Sequence, residues 1–209
     1  MKKLLCVLLS VLMILPAFVF AGCGQAEALK FGLGVYTAVS KASDANEDTA
    51  GQGKVAITAA AVTVDAAGKI VACVLDTADI TVSYTADGKA IANDGFKTKY
   101  ELGADYNMKT YGGAAKEWFE QADAFETVVA GKTLDEVKAL VAAENKGNDE
   151  VISAGCTIMI HEFVLAIEKA YNNAAASNAT ADHALKLGAH TEQSAKDATE
   201  DKDGQNQIE

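Results

Sequence analysis

Apolar and β-branched residues form a series of short runs in the first half of the chain, and turn residues separate these runs. We predict strands from this pattern. They cover Phe31–Ser40, Lys54–Val64, Lys69–Leu75 and Ile80–Tyr84. Asp65-Ala66-Ala67-Gly68 joins the second and third runs, which predicts a hairpin. Asp87-Gly88 repeats this turn chemistry after the fourth run, so we expect an antiparallel meander, with a polar loop over Lys41–Gln52.

The period of the apolar positions changes to 3.6 residues in the second half of the chain. Trp118, Ala122, Phe125 and Val129 share one face of a predicted helix, which Gly131 ends. Thr133 to Glu136 form a capping box, which starts a second helix through about Ala143. After the polar break Glu144–Asn148, a third helix is predicted from near Thr157 to Asn173. Its expected core-facing residues are Ile160, Phe163, Val164, Ile167 and Tyr171. The pattern predicts an α+β domain over residues 30–174, with an antiparallel β meander covered by about three helices.

The first 22 residues have the pattern of an export signal. Lys2 and Lys3 precede an apolar run from Leu4 to Phe20, and the run ends in Ala21-Gly22-Cys23. We predict a lipoprotein signal peptide over 1–22, lipid on Cys23 and a tether over 23–29. An ordinary secretory signal cut after Ala21 or Gly22, or an uncleaved anchor, are the alternatives. All of them export the domain, so an extracytoplasmic location is expected in each case, and lipid on Cys23 makes it a lipid-anchored one. The polar, acidic tail over 175–209 is interpreted as a frayed helix with a disordered end from about Lys196.

The charge of the chain limits its partners. The formal net charge is −11 and becomes −13 when Lys2 and Lys3 leave with the signal, and the sequence contains no arginine. Nucleic acid is therefore not expected as a partner, because phosphate backbones are bound by clustered lysine and arginine. Without arginine, a bound phosphate group would depend on lysine, backbone N–H groups or a covalent bond.

Cysteine and histidine give no metal or catalytic motif. Cys73 and Cys156 lie in apolar runs, which favours buried thiols over the alternative of a single disulfide bridge. The chain has neither a CxxC nor an HExxH pattern, so no metal site is predicted. It has no pattern of a catalytic triad, a P-loop or a dinucleotide-binding loop. A hydrolase or nucleotide enzyme is therefore disfavoured, and no catalytic residue is predicted.

Several separated stretches together resemble the FMN-binding domain family of exported flavin-carrying electron-transfer proteins. One is the hairpin at 61–71, AVTVDAAGKIV, and another runs from Asp149 through SAGCT at 153–157 into the last predicted helix. LGADYNMK at 102–109 and Glu117-Trp118 resemble a lipoprotein subgroup of that family. The resemblance covers roughly residues 31–173, and it implies FMN as a cofactor.

The resemblance also implies a place for the flavin. In the family, the last residue of a Ser/Thr-Gly-Ala-Thr motif can carry FMN through a phosphodiester bond made by a dedicated flavin transferase. Thr157 and Gly155 match that motif, whereas Ala154 and Cys156 depart from it. Val151 stands where the family has an acid, six residues before the acceptor. The resemblance therefore leaves two modes open, which are covalent attachment at Thr157 and reversible binding.

The implied cofactor-binding residues form two groups. Ser153, Gly155, Cys156 and Thr157 would meet the phosphate, with help from N–H groups at the start of the last helix. Tyr106, Met108 and Trp118, with Tyr111 as a further candidate, would offer an apolar wall to the flavin ring. Each group has an alternative interpretation. The segment 153–157 is then an ordinary N-cap turn, with Cys156 and Ile158 in the core, and Trp118 is a core residue. Glu117 then forms a solvated pair with Lys109 or Lys116.

These features lead to two functional hypotheses. The first is a membrane-anchored, FMN-based electron carrier at the cell surface, reduced by a redox partner at the membrane. The second is a surface binding or structural lipoprotein on the same fold that carries no flavin. Both are more typical of this sequence than an enzyme with bond-making chemistry.

Overall fold

A computed structural model describes residues 27–93, 95–202 and 204–208. The predicted signal peptide and the predicted lipidation at Cys23 lie outside these residues. In the described part of the chain, no helix combines the length and the apolar character needed to cross a membrane.

An antiparallel sheet forms one layer of the protein, as the meander pattern predicts. The strands are β1 Lys30–Ser43, β2 Gly51–Val64, β3 Ile70–Tyr84, β4 Ala90–Ile91 and β5 Ala175–Ala176. Their order in the sheet is β4-β3-β2-β1-β5. The three long strands pair through nearly their whole length, so the loop between β1 and β2 is shorter than the predicted Lys41–Gln52. The α+β class with an antiparallel sheet is confirmed.

The two runs Lys69–Leu75 and Ile80–Tyr84, predicted as separate strands, belong to the single strand β3. The acidic residues between them find partners without leaving the strand. Asp76 Oδ1 accepts hydrogen bonds from the N–H groups of Thr77 and Tyr100, at 2.7 Å and 3.2 Å. Asp79 forms an ion pair with Lys99. The polar side chains of Asp76 and Asp79 therefore do not end the strand.

The predicted hairpin between β2 and β3 is confirmed. Asp65 Oδ1 accepts a hydrogen bond from the Lys69 N–H at 2.7 Å, and the Gly68 N–H donates to the Asp65 carbonyl at 3.1 Å. Gly68 has φ 79°, a conformation that glycine adopts without steric cost. The turn chemistry that predicted this hairpin is thus the chemistry that closes it.

Helices form the second layer. They are α1 Lys99–Leu102, α2 Met108–Gly112, α3 Trp118–Val129, α4 Leu134–Lys138, α5 Asp149–Ala154 and α6 His161–Asn172. Two 3-10 turns cover Gly103–Tyr106 and Ala143–Asn145. The predicted helix at Trp118 and the capping box at Thr133 are confirmed. The second helix ends at Lys138 rather than near Ala143, because backbone groups of Leu140 and Ala142 bond to Asn148 and Lys146 instead of continuing the helix.

The helices pack on one face of the sheet and bury the core there. Gly32 and Gly34 let α6 approach β1 closely, since a Cβ on Gly34 would stand 2.2 Å from the Ala170 nitrogen. The core includes the predicted faces of α3 and α6. Tyr171 is half-buried beside it, and its hydroxyl donates to the Gly68 carbonyl at 2.9 Å.

The prediction of a frayed helix over the tail is wrong. Ala175–Ala176 pair with Lys30–Phe31, and the Leu29 N–H donates to the Ala179 carbonyl at 2.8 Å. Farther on, β6 Gln193–Lys196 and β7 Gln205–Ile208 pair as a separate two-stranded sheet. The physical reason is that the start of β1 offers unpaired backbone groups, which the tail satisfies better as a strand than as an isolated alanine-rich helix.

Candidate functional site

A cavity of about 540 Å³ lies between the helix-covered face of the sheet and the segments that cross it. This volume falls within the ~300–1,000 Å³ common for small-molecule sites. The lining comes from four parts of the chain. It consists of Tyr36 and Thr77 of the sheet, Lys99, Tyr106, Met108 and Trp118 of the first helical part, Asn145 and Lys146 of the second, and Thr157, Ile158, Met159, His161, Glu162 and Phe163 of the last.

Aromatic rings form one wall of this cavity. Trp118 is only 2% exposed and meets Phe163 edge to face, with the ring centroids 5.7 Å apart. Trp118 therefore belongs to the core and to the cavity wall at once, so its two interpretations do not exclude each other. A wall of this kind offers apolar area and polarisable rings to a planar ligand.

A lysine stands against that wall. The Lys99 Nζ lies 5.1 Å from the centre of the Tyr106 ring and 5.6 Å from that of Trp118. The same ammonium group pairs with Asp79 Oδ2 at 3.0 Å, and the Tyr106 hydroxyl donates to that oxygen at 3.3 Å. The Lys99 side chain is only 14% exposed, so its charge acts in a medium of lower dielectric than water. The sequence reasoning missed Lys99, although Thr98 and Glu101 form a capping box that the sequence contains.

Glu117 organises the loop that carries Met108. Its carboxylate accepts hydrogen bonds from the Met108 N–H at 2.8 Å and the Lys109 N–H at 3.4 Å, and its backbone N–H donates to Glu120 at 2.7 Å. Glu117 is 6% exposed, so the alternative of a solvated pair with Lys109 or Lys116 is wrong. Lys109 pairs with Glu120 instead, at 3.0 Å. The reason is that the first N–H groups of α2 have no partner within that helix, and they bond to the Glu117 carboxylate.

Gln121 links the loop to Thr157. This amide is fully buried, and its Nε2 donates to the Lys116 carbonyl at 3.1 Å and lies 3.3 Å from Met108 Sδ. Its Oε1 accepts from the Thr157 N–H at 2.8 Å and from the Thr157 hydroxyl at 3.0 Å. Thr157 is exposed at the cavity, so Gln121 fixes the direction of a hydroxyl that solvent or a ligand can reach. The contact spans 36 residues, and no local pattern predicts it.

The turn at 153–157 does not open the last helix as predicted. Asn148 caps a separate helix, α5, by accepting from the N–H groups of Glu150 and Val151, and Gly155 ends that helix with φ 103°. The last helix, α6, begins at His161. The expected N–H groups of a helix start at 153–157 are therefore absent. The signals for α5 were in the sequence, since asparagine is a common N-cap and glycine a common helix end.

Lys116 occupies the space beside Gly155. A Cβ on Gly155 would stand 2.2 Å from the Lys116 Nζ, and this ammonium group lies 3.5 Å from the Ala154 carbonyl oxygen. Ser153 is exposed and Cys156 is buried. Four of the seven predicted cofactor residues line the cavity, namely Tyr106, Met108, Trp118 and Thr157, whereas Ser153, Gly155 and Cys156 do not. Tyr111, the further candidate, is 86% exposed and is not part of the lining.

Both described cysteines are free and buried, as predicted, and they do not form the alternative disulfide. Burial raises the pKa of Cys156 to about 11 and the pKa of Cys73 well above its usual range. Neither thiol is therefore a nucleophile at neutral pH. Among the described residues, no cluster of three or more histidine, cysteine, aspartate or glutamate side chains could hold a metal ion.

Comparison with protein-family models, with curated proteins and with solved structures finds no match to this chain.

Proposed function

We propose that the protein is an exported lipoprotein, anchored through Cys23, that binds FMN reversibly in this cavity and carries electrons at the cell surface. The observation that supports the proposal is the convergence of Tyr106, Met108, Trp118 and Thr157. These residues come from separate stretches of the chain and line one cavity. FMN-binding-domain-like architecture is part of the same proposal.

The residues present fit such a ligand. The rings of Trp118, Tyr106 and Phe163 offer a wall for an isoalloxazine ring, and Lys146 and the Thr157 hydroxyl offer polar partners for a phosphate group. When bound, FMN supplies the ability to accept and release one or two electrons. The chain supplies binding, orientation and charge. Lys99, held by Asp79, would place a fixed positive charge near the ring and favour forms of the ligand that carry negative charge.

The geometry favours reversible binding over covalent attachment. Val151 replaces the family's acid, and it is fully buried in the core, so no carboxylate occupies that place. Glu150, the nearest acid along the chain, pairs with Lys132 at 2.8 Å. The Thr157 hydroxyl donates to Gln121, which does not increase its nucleophilicity as a general base would.

A titration of FMN fluorescence against the purified protein tests the binding. Tyr106→Ala removes a ring from the cavity wall and should weaken FMN binding at least tenfold. Tyr111→Ala removes an equally large but 86% exposed ring from the same part of the chain, and it should leave the affinity unchanged. Equal effects of the two changes, or no affinity for FMN in the wild type, would refute flavin binding in this cavity.

Coexpression with a flavin transferase separates the two modes of attachment. Reversible binding predicts that FMN leaves on denaturation and that the peptide containing Thr157 has its unmodified mass. If this peptide gains the mass of one FMN residue, and Thr157→Val abolishes the gain, attachment is covalent. Valine preserves the shape of the side chain and removes only the hydroxyl, so it is the matched control for threonine here.

Anchoring has its own test. Cys23→Ala should release the protein from the membrane fraction or leave the precursor uncleaved. Fractionation and migration identical to those of the wild type would show that Cys23 is not lipidated.

The flavin-free binding module is the second candidate, and one observation favours it. The Lys116 side chain covers Gly155, and Ser153 and Cys156 do not line the cavity. The backbone of the region that matches the family motif is therefore not open to a phosphate group in the cavity. In that case the cavity would bind another planar, anionic small molecule. Protein purified from its native host would then be colourless and show no affinity for FMN.

A further inference from the structure

Four side chains of β1 form an apolar row on the sheet face opposite α6. We define the β1 row as Phe31, Leu33, Val35 and Val39, whose exposed fractions are 41%, 46%, 43% and 77%. The exposed polar side chain of Thr37 stands between Val35 and Val39 on the same face. Gly32 and Gly34 contact α6, and side chains alternate along a strand, so the row faces away from that helix. Residues 187–191 lie beside Leu33 and Val35 and form a cavity of about 280 Å³ with them, and all four side chains of the row keep their exposed fractions with this segment in place.

Exposed apolar side chains grouped on one face of a protein mark a surface that contacts a protein partner or a membrane. The free edge of β1 does not offer room for an added strand at this point. The Lys169 Nζ donates to the Val35 carbonyl at 2.8 Å, and the Asn173 Nδ2 donates to the Leu33 carbonyl at 3.1 Å. These two side chains block the positions where another strand would bond. A second copy is opposed by charge as well, since each chain has a formal net charge of −11.

The position of the row along the chain points to a lipid surface. Cys23 lies eight residues before Phe31, so even a fully extended tether holds that end of the row within about 28 Å of an anchored lipid. The row itself extends about 26 Å from Phe31 to Val39. The β1 strand carries lysines at 30 and 41 and no carboxylate, so the strand itself adds no negative charge where it would meet lipid headgroups.

We propose that the β1 row is a membrane-contact surface, which lies on the lipid bilayer and turns the cofactor cavity away from it. Tyr36 lies between Val35 and Thr37, which both belong to the face of the row, so Tyr36 projects to the opposite face, where it lines the cavity. The inference rests on the membrane anchor of the proposed function, and it is independent of flavin.

Fluorescence quenching in the membrane tests this orientation. The full chain is produced with its own signal, carries Val35→Cys labelled with a small fluorophore, and is reconstituted into vesicles of zwitterionic and anionic lipid that contain a nitroxide lipid. Met159→Cys is the control, because Met159 is 65% exposed and lines the cavity. Cys73 and Cys156 are buried and should not react. The label at position 35 should be quenched at least threefold more strongly than the label at 159.

Leu33→Thr combined with Val39→Thr should reduce the quenching at position 35 to the level seen at 159, because the two changes remove apolar area whose burial at the bilayer interface would favour the contact. Equal quenching at 35 and 159, or stronger quenching at 159, would overturn the proposal. So would a protein that does not fractionate with membranes. A label at 35 that escapes lipid quenching but lies close to the label of another copy would assign the row to a dimer instead. Flavin absorbance is read separately, so a quenched but colourless protein would support the membrane contact while contradicting FMN binding.

Discussion

The two faces of the sheet differ sharply although the same three long strands build them. On the helix-covered face, Val62 and Leu75 are fully buried with α3 and α6, and the cavity opens at the margin of that core. On the other face, the β1 row keeps roughly two fifths or more of each side chain exposed. In β1 the helix-covered face carries Gly32 and Gly34, whereas the other face carries Phe31, Leu33 and Val35. The two glycines therefore decide on which face of β1 the helix α6 can approach, whereas Ala61 and Ile80, on the face of the row in β2 and β3, are buried without a helix.

The core on the covered face should account for the largest effect. Phe125 is fully buried on α3 and packs against Phe163, with the ring centroids 5.8 Å apart. Phe125→Ala should lower the free energy of unfolding by ~3–5 kcal/mol, because it leaves a cavity that the neighbours cannot fill. Denaturant unfolding measures this. A loss within the ~0.5 kcal/mol usual for surface positions would mean that α3 does not pack as described.

The close approach of α6 to β1 should give the next largest effect. A Cβ on Gly34 would stand 2.2 Å from the Ala170 nitrogen and 2.3 Å from the Ala166 carbonyl oxygen, which are backbone atoms that cannot turn aside. Gly34→Ala should therefore cost stability in the upper part of the ~1–3 kcal/mol range typical of overpacking.

Gly53→Ala is the matched control for that change. A Cβ on Gly53, in the neighbouring strand β2, would come no closer than 3.3 Å to a Val82 methyl group. Its effect on thermal unfolding should be small, and it should leave the α6 contact intact. If the two alanine variants unfold at the same temperature, the close contact between β1 and α6 is not present in solution.

Much of this comparison could be predicted from the sequence, and some of it could not. Asp65 and Gly68 specify their hairpin locally, and Thr133 with Glu136 specifies the start of α4, so both were predicted correctly. The contact of Gln121 with Thr157 depends on packing between distant segments, and it was missed.

Other features had local signals that were misread. Asn148 caps the start of helix α5, and Gly155 ends that helix. The turn at 153–157 was instead predicted to start the last helix, α6. Gly32 and Gly34 alternate in β1 and mark where α6 lies, but small residues alone do not show what approaches them. The tail strand at Ala175–Ala176 pairs with the start of β1, and helix propensity gives no hint of such a long-range partner.

A buried carboxylate makes the covered face sensitive to pH. Glu126 accepts a hydrogen bond from the Leu75 N–H at 2.7 Å, and its burial raises its pKa to about 7, with Asp123 and Asp76 adding repulsion. The folded protein thus holds a proton on Glu126 that the unfolded chain releases near pH 4.5. This contribution to stability is fully present below about pH 4.5 and is lost as the pH rises to about 7.

Glu126→Gln should remove that dependence. The amide stays neutral and can still accept from Leu75, so the variant should match the wild type near pH 4.5 and be more stable at pH 8. The gain is at most about 3 kcal/mol, since each pKa unit corresponds to ~1.4 kcal/mol. Denaturant midpoints at the two pH values measure it. A gain of the same size at both pH values would show that Glu126 is already ionised in the folded protein at low pH.

The smallest effect is expected for a change of valine to threonine in the β1 row. The same substitution on the helix-covered face serves as the comparison. Val62→Thr places a hydroxyl in the core of β2, where burial without a partner costs ~1–3 kcal/mol. Val39→Thr places it on the 77% exposed side chain at the end of the β1 row, and both residues are β-branched. Val39→Thr should therefore change the free energy of unfolding of the detergent-solubilised protein by no more than ~0.5 kcal/mol. A loss comparable to that of Val62→Thr would mean that Val39 is covered in the folded chain itself. The row would then be part of the fold, and it could not be free to contact a membrane.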